Sequence, residues 1–355
     1  MTDLDQRINQ TLRQRAEGRV DTDRLVRVSR ARGRRRQLHR RVAAGTALSL
    51  VGALGFVGVT EARFDALTGR MPWTTATPRV VPPVPPRADG VPGAASDPTL
   101  VSADPEVLHV GVDPARAHYL GWEVIQGYVE TIRVAVPGGG EVRVDVSRTA
   151  ELPASVVIDG VSFDVTEAGP QHFDGTVRPT TGMPRSLVKM WQPAQGLYAR
   201  AVMPQGNAAV LERTVEALRW NKARRCPGPL RLTSLPEGAR VTSCAVDIAS
   251  YPRLITARFA VKRAEAEIMT VDYRYASSAG TYTTSDRTIA GKPALLTANG
   301  TRLELVGVPR TMVLADFGWP WQGEPPAHIF TEADATTVLA GAQVTADPTR
   351  PESWK

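Results

Sequence analysis

Residues 130–146 constrain the fold more tightly than any other part of the chain. In Glu130-Thr131-Ile132-Arg133-Val134-Ala135-Val136, Ile132, Val134 and Val136 fall on one face of an extended strand and Thr131, Arg133 and Ala135 on the other. Gly138-Gly139-Gly140 then supplies a turn, after which Val142, Val144 and Val146 resume the apolar face opposite Arg143 and Asp145. Period two on both sides of a glycine-rich turn predicts a β-hairpin with one buried face. A phosphate-binding loop does not fit these glycines, because neither Lys-Ser nor Lys-Thr nor a helical pattern follows them.

The hairpin opens a pattern that recurs. After it come Val157-Ile158-Asp159-Gly160-Val161, then Leu187 to Pro193, a strand around Tyr198 and a helix carrying Leu211, Val215 and Leu218. In the second half, strands at Leu254 to Val261 and Ile268 to Tyr275 lead to Thr288-Ile289-Ala290-Gly291-Lys292. Trp319-Pro320-Trp321-Gln322, Ile329 and a helix capped by Thr331, with Val338 and Leu339, then follow. Each unit reads as antiparallel strands closed by one helix, which predicts an α+β core of two layers. Cys226 and Cys244 open the second unit. With no Cys-x-x-Cys and no neighbouring histidine, they are expected to form a disulfide, worth about 3 kcal/mol in the chain-entropy model.

The N-terminal part reads differently. Val42 to Thr60 is uncharged over 19 residues, close to the roughly 20 needed to cross a hydrocarbon core and longer than the roughly 7–15 of a signal-peptide core. Arg30, Arg32, Arg34, Arg35, Arg36, His39, Arg40 and Arg41 precede it, which places the N-terminus on the cytoplasmic side. The net charge of +7 resides there: residues 1–41 hold 13 Arg against five acids, and the rest holds 30 basic and 31 acidic residues. The expected partners of the tail are therefore the lipid bilayer and its anionic headgroups, with no nucleic acid. Leu4, Ile8 and Leu12 form a narrow apolar stripe at helical spacing, a candidate contact for a cytoplasmic regulatory protein. Past the span, the prolines between Pro72 and Pro105 predict an extended spacer.

These readings combine into an α+β fold class, with one transmembrane helix followed by two tandem repeats of antiparallel sheet plus one helix. The expected boundaries are a basic cytoplasmic tail over 1–41, the transmembrane helix over 42–60 and a proline-rich extracytoplasmic linker over 61–106. The first repeat is expected over 107–225 and the second over 226–355. Localisation follows as plasma membrane, single-pass, with the C-terminal region extracytoplasmic.

A search for chemistry finds few candidates. The five histidines, His39, His109, His118, His172 and His328, show no metal-ligand spacing, and no nucleophile elbow occurs. No catalytic, cofactor-binding or metal residue is assigned. Asp164, Glu167, His172 and Asp174 form the best local polar cluster, readable as a cation loop or as a solvated hairpin. Trp122, Trp191, Trp220, Trp319 and Trp321 read as core plugs with one polar edge or as the lining of a ligand groove.

The opening Asp5-Gln6-Arg7-Ile8-Asn9-Gln10-Thr11-Leu12-Arg13, the run from Arg34 to Arg41, and a Gly-containing strand followed by a Trp-Pro or Trp-x-Pro segment and a closing helix carry a family resemblance. In this order of parts the chain resembles actinobacterial single-pass membrane proteins of the anti-sigma-factor-like kind, regulators with an extracytoplasmic sensor domain. Its tail has no His or Cys pair, unlike the zinc-containing members. The resemblance implies a non-enzymatic protein that senses an envelope ligand and acts on a sigma-factor-like cytoplasmic partner. A tethered or secreted carrier for lipid or glycan is the alternative, and an exported enzyme using His172 and Asp174 is a third.

Overall fold

Alternation around the triple glycine does produce a hairpin. Strands β4 (Val129–Ala135) and β5 (Glu141–Ser147) pair antiparallel with Ile132 opposite Val144 and Val134 opposite Val142. Gly138 makes the turn with φ +73, a conformation open to glycine without strain. In the computed structural model, the described residues are 82–150, 152, 155–158, 161–164, 173–177, 186–204, 207–264, 267–297, 300–318 and 329–354. All belong to the unit from Pro78 to Lys355.

The hairpin lies within a 13-stranded antiparallel sheet. In chain order the first set is β3 (His118–Ile125), β4, β5, β8 (Phe173–Val177), β9 (Ser186–Ala194) and β10 (Leu197–Pro204), and helix α1 (Ala208–Ala217) follows. Two short strands, β1 (Val107–Leu108) and β2 (Gly111–Val112), precede β3, and the hairpin β6 (Ser155–Ile158) and β7 (Val161–Asp164) lies between β5 and β8. After α1 come β11 (Leu218–Arg219), β12 (Arg224–Arg225) and β13 (Leu230–Leu232). The second set is β14 (Arg240–Asp247), β15 (Leu254–Lys262), β16 (Ile268–Ala276), β17 (Arg287–Ile289), β18 (Lys292–Leu296), β19 (Arg302–Leu305) and β20 (Thr311–Asp316), followed by α2 (Glu332–Ala340) and β21 (Ala342–Val344).

In space the order is β17-β18-β19-β20-β16-β15-β14-β3-β4-β5-β10-β9-β8. Each half is a three-strand meander that crosses to the outer edge and winds back to pair with its own third strand. The halves meet where β3 pairs with β14, Val124 opposite Cys244 and Trp122 opposite Val246. Both helices lie on one face: Val210, Leu211, Ala335, Val338 and Leu339 join Val144, Val146, Phe259 and Val271 in one continuous core. Asn207 caps α1, and a capping box between Thr331 and Asp334 starts α2, so each helix begins where a side chain takes up its free N–H groups.

This corrects the expected fold class. The described chain is mostly β, its two helices span 10 and 9 residues, and the two strand sets share one sheet in place of forming separate α+β repeats. A lone first strand in either set would leave a row of unpaired N–H and C=O groups, and the β3–β14 pairing removes both edges at once. The correspondence drawn from sequence is also displaced. It matched Leu187–Pro193 with Trp319–Gln322, whereas the partners of β9 and β10 in the topology are β19 and β20. Trp319–Gln322 lies outside the described residues.

The single-pass membrane localisation and the transmembrane helix are corrected as well: among the described residues no helix is long and apolar enough to cross a membrane. Residues 42–60, the tail and the stripe of Leu4, Ile8 and Leu12 lie outside the described residues, and the bilayer and headgroup partners inferred from them have no support in the structure.

From residue 82 onward the proline-rich segment is built into the packed unit. Proline lacks an N–H, so the segment offers carbonyls: Pro86 accepts from Arg225 N at 2.8 Å, and Glu106 O accepts from Cys226 N at 2.7 Å. Ala94, Val101 and Leu108 are buried. The buried Glu130 carboxylate fastens this segment, accepting from Ser102 N at 2.8 Å and His109 N at 2.6 Å, with His109 Nδ1 at 2.7 Å. Cys226 and Cys244 form a disulfide under Trp122, whose indole N–H donates to Cys226 O at 2.8 Å.

Candidate functional site

The face of the sheet opposite the helices carries the polar side chains. In the first half it is buried. Asp145 on β5 is fully inaccessible and accepts from Arg143 Nε at 2.8 Å, Arg200 at 2.7 Å and Thr131 Oγ1 at 2.8 Å. Burial pushes its carboxyl up, but the two guanidiniums outweigh burial and hold it below the usual Asp range. In the second half the same face is open, and the Arg258 side chain, paired with Asp272, is 66% exposed.

Between these regimes lies a groove of about 500 Å³ over the β3–β14 junction. Cross-strand register builds it from two parallel rows. One runs Thr131, Glu123, Ala245, Arg258, Asp272 across β4, β3, β14, β15 and β16. The next runs Arg133, Gly121, Asp247, Thr256, Arg274 across the same strands. Ala245 lines the floor at the junction, and Gly121 stands diagonal to it in the neighbouring row, opposite Asp247. A Cβ at Gly121 would stand 2.8 Å from the Val246 carbonyl oxygen, so only glycine permits this approach of β3 to β14.

Most charges along the groove are spoken for. Arg133 donates to Glu141 at 2.6 Å and also pairs with Asp247, which holds its pKa above the ordinary arginine value. Glu123 is the exception. It makes no hydrogen bond or ion pair with a described residue, and burial pushes its carboxyl above the usual Glu range, with the Arg143 and Arg258 charges opposing and the Asp145 charge adding. Arg274, at the exposed end of the second row, also has no ion pair among the described residues. A partly buried carboxylate in a cleft, raised in pKa and without a hydrogen-bond or ion-pair partner among the described residues, makes Glu123 the candidate binding position.

Of the residues singled out from sequence, the structure brings together Cys226, Cys244 and Trp122. Trp191 and Trp220 meet edge to face at 6.1 Å near the far end of the first half. His109 serves the buried Glu130 clamp, and His118 begins β3. The side chains of Asp164, Glu167, His172 and Asp174 and the residues Trp319, Trp321 and His328 lie outside the description. Sequence reading passed over Glu123, Arg200, Arg258 and Arg274. A signal was available, since each stands at a polar position of a strand whose alternate positions are apolar.

No family model matches the chain, and no curated protein matches it. A solved structure described as "Crystal structure of MucB in complex with MucA(peri)" is similar over 70% of this chain and 98% of its own length, at 9% identity and a TM-score of 0.22, a likeness too loose to carry an argument about fold or function.

Proposed function

We propose that the chain is a non-enzymatic binding protein whose ligand lies in the groove over the β3–β14 junction and presents a cationic or hydrogen-bond-donating group to Glu123. The observation that carries this reading is the Glu123 carboxylate itself, half-buried, unpartnered among described residues and raised in pKa above a floor of small side chains. Around Glu123 the groove is lined by Met312, Leu314, two threonines, the paired Arg133, Arg143 and Arg258, and Arg274, unpaired among the described residues. A bound cation favours the ionised carboxylate, so affinity rises with pH through the Glu123 titration.

The test is a thermal-shift and NMR screen of the full chain against amines, basic peptides and amino sugars. Ligands of this site lose binding in Glu123→Gln and in Ala245→Trp, which fills the floor. Hits that bind both variants as well as the parent, or a panel without hits, would sink the reading.

A second reading adds regulation, motivated by the stripe of Leu4, Ile8 and Leu12 in the sequence. A regulatory protein partner, of the sigma-factor-like kind the resemblance implies, would engage the stripe. Deleting residues 1–28 then abolishes signalling and leaves groove binding intact, whereas a plain carrier loses neither.

A further inference from the structure

The open face continues past the groove toward the other end of β14 and β15, where a second depression of about 470 Å³ lies between Ile125 and Ile268. From Thr256 to Lys262 the two depressions span about 20 Å along β15, at 3.4 Å per residue. Ser243 and Ala260, cross-strand neighbours, form the floor of the second. Its described polar side chains are Gln126, Arg240, Thr242, Ser243, Lys262 and Arg263, with no acid among them. The Thr242 hydroxyl donates to Ala260 O at 3.4 Å and Gln126 Nε2 to Ala103 O at 3.2 Å, which leaves the Ser243 hydroxyl and the second Gln126 amide proton as neutral donors.

Arg240 on β14 stands directly opposite Lys262 on β15. Like charges in that register destabilise an antiparallel pair. Neither has a hydrogen bond or ion pair with a described residue. The third cation, Arg263, is already committed: it donates to Asp334 at 2.6 Å, lies 3.5 Å from Glu267 and stacks 4.8 Å from the Phe330 ring centre. Two cationic residues therefore stand at one cross-strand position beside a cavity that both line, an arrangement that an anion converts from repulsive to bridged.

We propose that Arg240 and Lys262 form an oxyanion subsite that binds the phosphate or sulfate group of a small soluble molecule, with Ser243 and Gln126 as neutral donors. The subsite goes beyond the Glu123 reading and does not depend on it.

The experiment is a titration of the full chain with inorganic phosphate at constant ionic strength set by sodium chloride, followed by thermal unfolding and by NMR. Wild type shows a saturable rise in Tm. Arg240→Gln and Lys262→Gln each raise the ligand-free Tm, because the repulsion is relieved, and each weakens phosphate binding about fivefold. The double variant loses the response. Arg302→Gln, which removes an exposed arginine paired with Asp316, keeps it, as does Glu123→Gln. An adventitious ion only, seen as a phosphate response retained in the double variant, overturns the proposal, and so does a wild-type response no larger than that to chloride. Sulfate replacing phosphate with equal effect assigns the site to a general oxyanion; phosphate alone narrows it to phosphate esters.

Discussion

The two halves of the sheet follow one path but treat their second face in opposite ways. In the β3–β10 half, Thr131, Asp145, Val188, Met190, Arg200 and Val202 are all buried on the face away from the helices. In the β14–β20 half the equivalent positions, among them Arg258, Asp272 and Arg274, reach solvent or the groove. The lesson concerns the worth of a charge. The Asp145–Arg200 pair is dry and hydrogen-bonded to further partners, so losing one member leaves a buried charge uncompensated. The Arg258–Asp272 pair, in the same cross-strand row, is wet on one side and contributes little. The groove proposed to bind ligand lies at the boundary, where the face changes from covered to open.

The largest effect that would sharpen this contrast is expected from Asp145→Ala, which should lower unfolding free energy by about 3–5 kcal/mol, against less than about 1 kcal/mol for Asp272→Ala. Urea unfolding of both variants measures it, and equal losses would erase the distinction between the halves. The pH dependence follows the same line. Asp145 is depressed in the folded state, so its contribution is present above the unfolded pKa and disappears as pH falls through the folded value. Acid unfolding of wild type should therefore be steep, and that of Asp145→Asn shallower.

Next in size is Gly121→Ala. The added methyl meets the Val246 carbonyl oxygen at 2.8 Å, which the backbone relieves only by opening the β3–β14 junction. A loss of about 1–3 kcal/mol is expected, together with faster amide exchange along β3 and β14. Unchanged exchange there would mean that the halves are not held by this close approach.

The smallest effect is that of Glu123→Gln in the absence of ligand. A carboxyl whose folded pKa is raised binds its proton more tightly in the native state, so wild-type stability falls as pH rises from the ordinary Glu range through the raised value. The variant should lack that slope. A slope that persists in the variant places the titration elsewhere.

Parts of this architecture were legible in advance. Ile132, Val134, Val142 and Val144 announced the central hairpin because period two has one physical meaning, and Leu254–Val261 with Ile268–Tyr275 did so for β15 and β16. Thr331 marked the start of α2 by its cap. The groove was not legible, because its row passes through five strands separated by up to 149 residues, from Glu123 to Asp272. No local spacing links Glu123 to Arg258. β19 and β20 escaped because Arg302–Leu305 and Thr311–Asp316 are short strands on which alternation repeats only two or three times.

What the sequence determined by itself was local: several of the strands, which face of each is apolar, where α2 starts, and that Cys226 and Cys244 could meet. Such features depend on neighbours within a few residues, where backbone geometry fixes side-chain direction. Only the tertiary structure decided that β3 pairs with β14, that one half of the sheet is covered on both faces and the other on one, and that Glu123 is left without a hydrogen-bond or ion-pair partner among the described residues. Those outcomes come from long-range hydrogen bonding and burial, which no window of sequence contains.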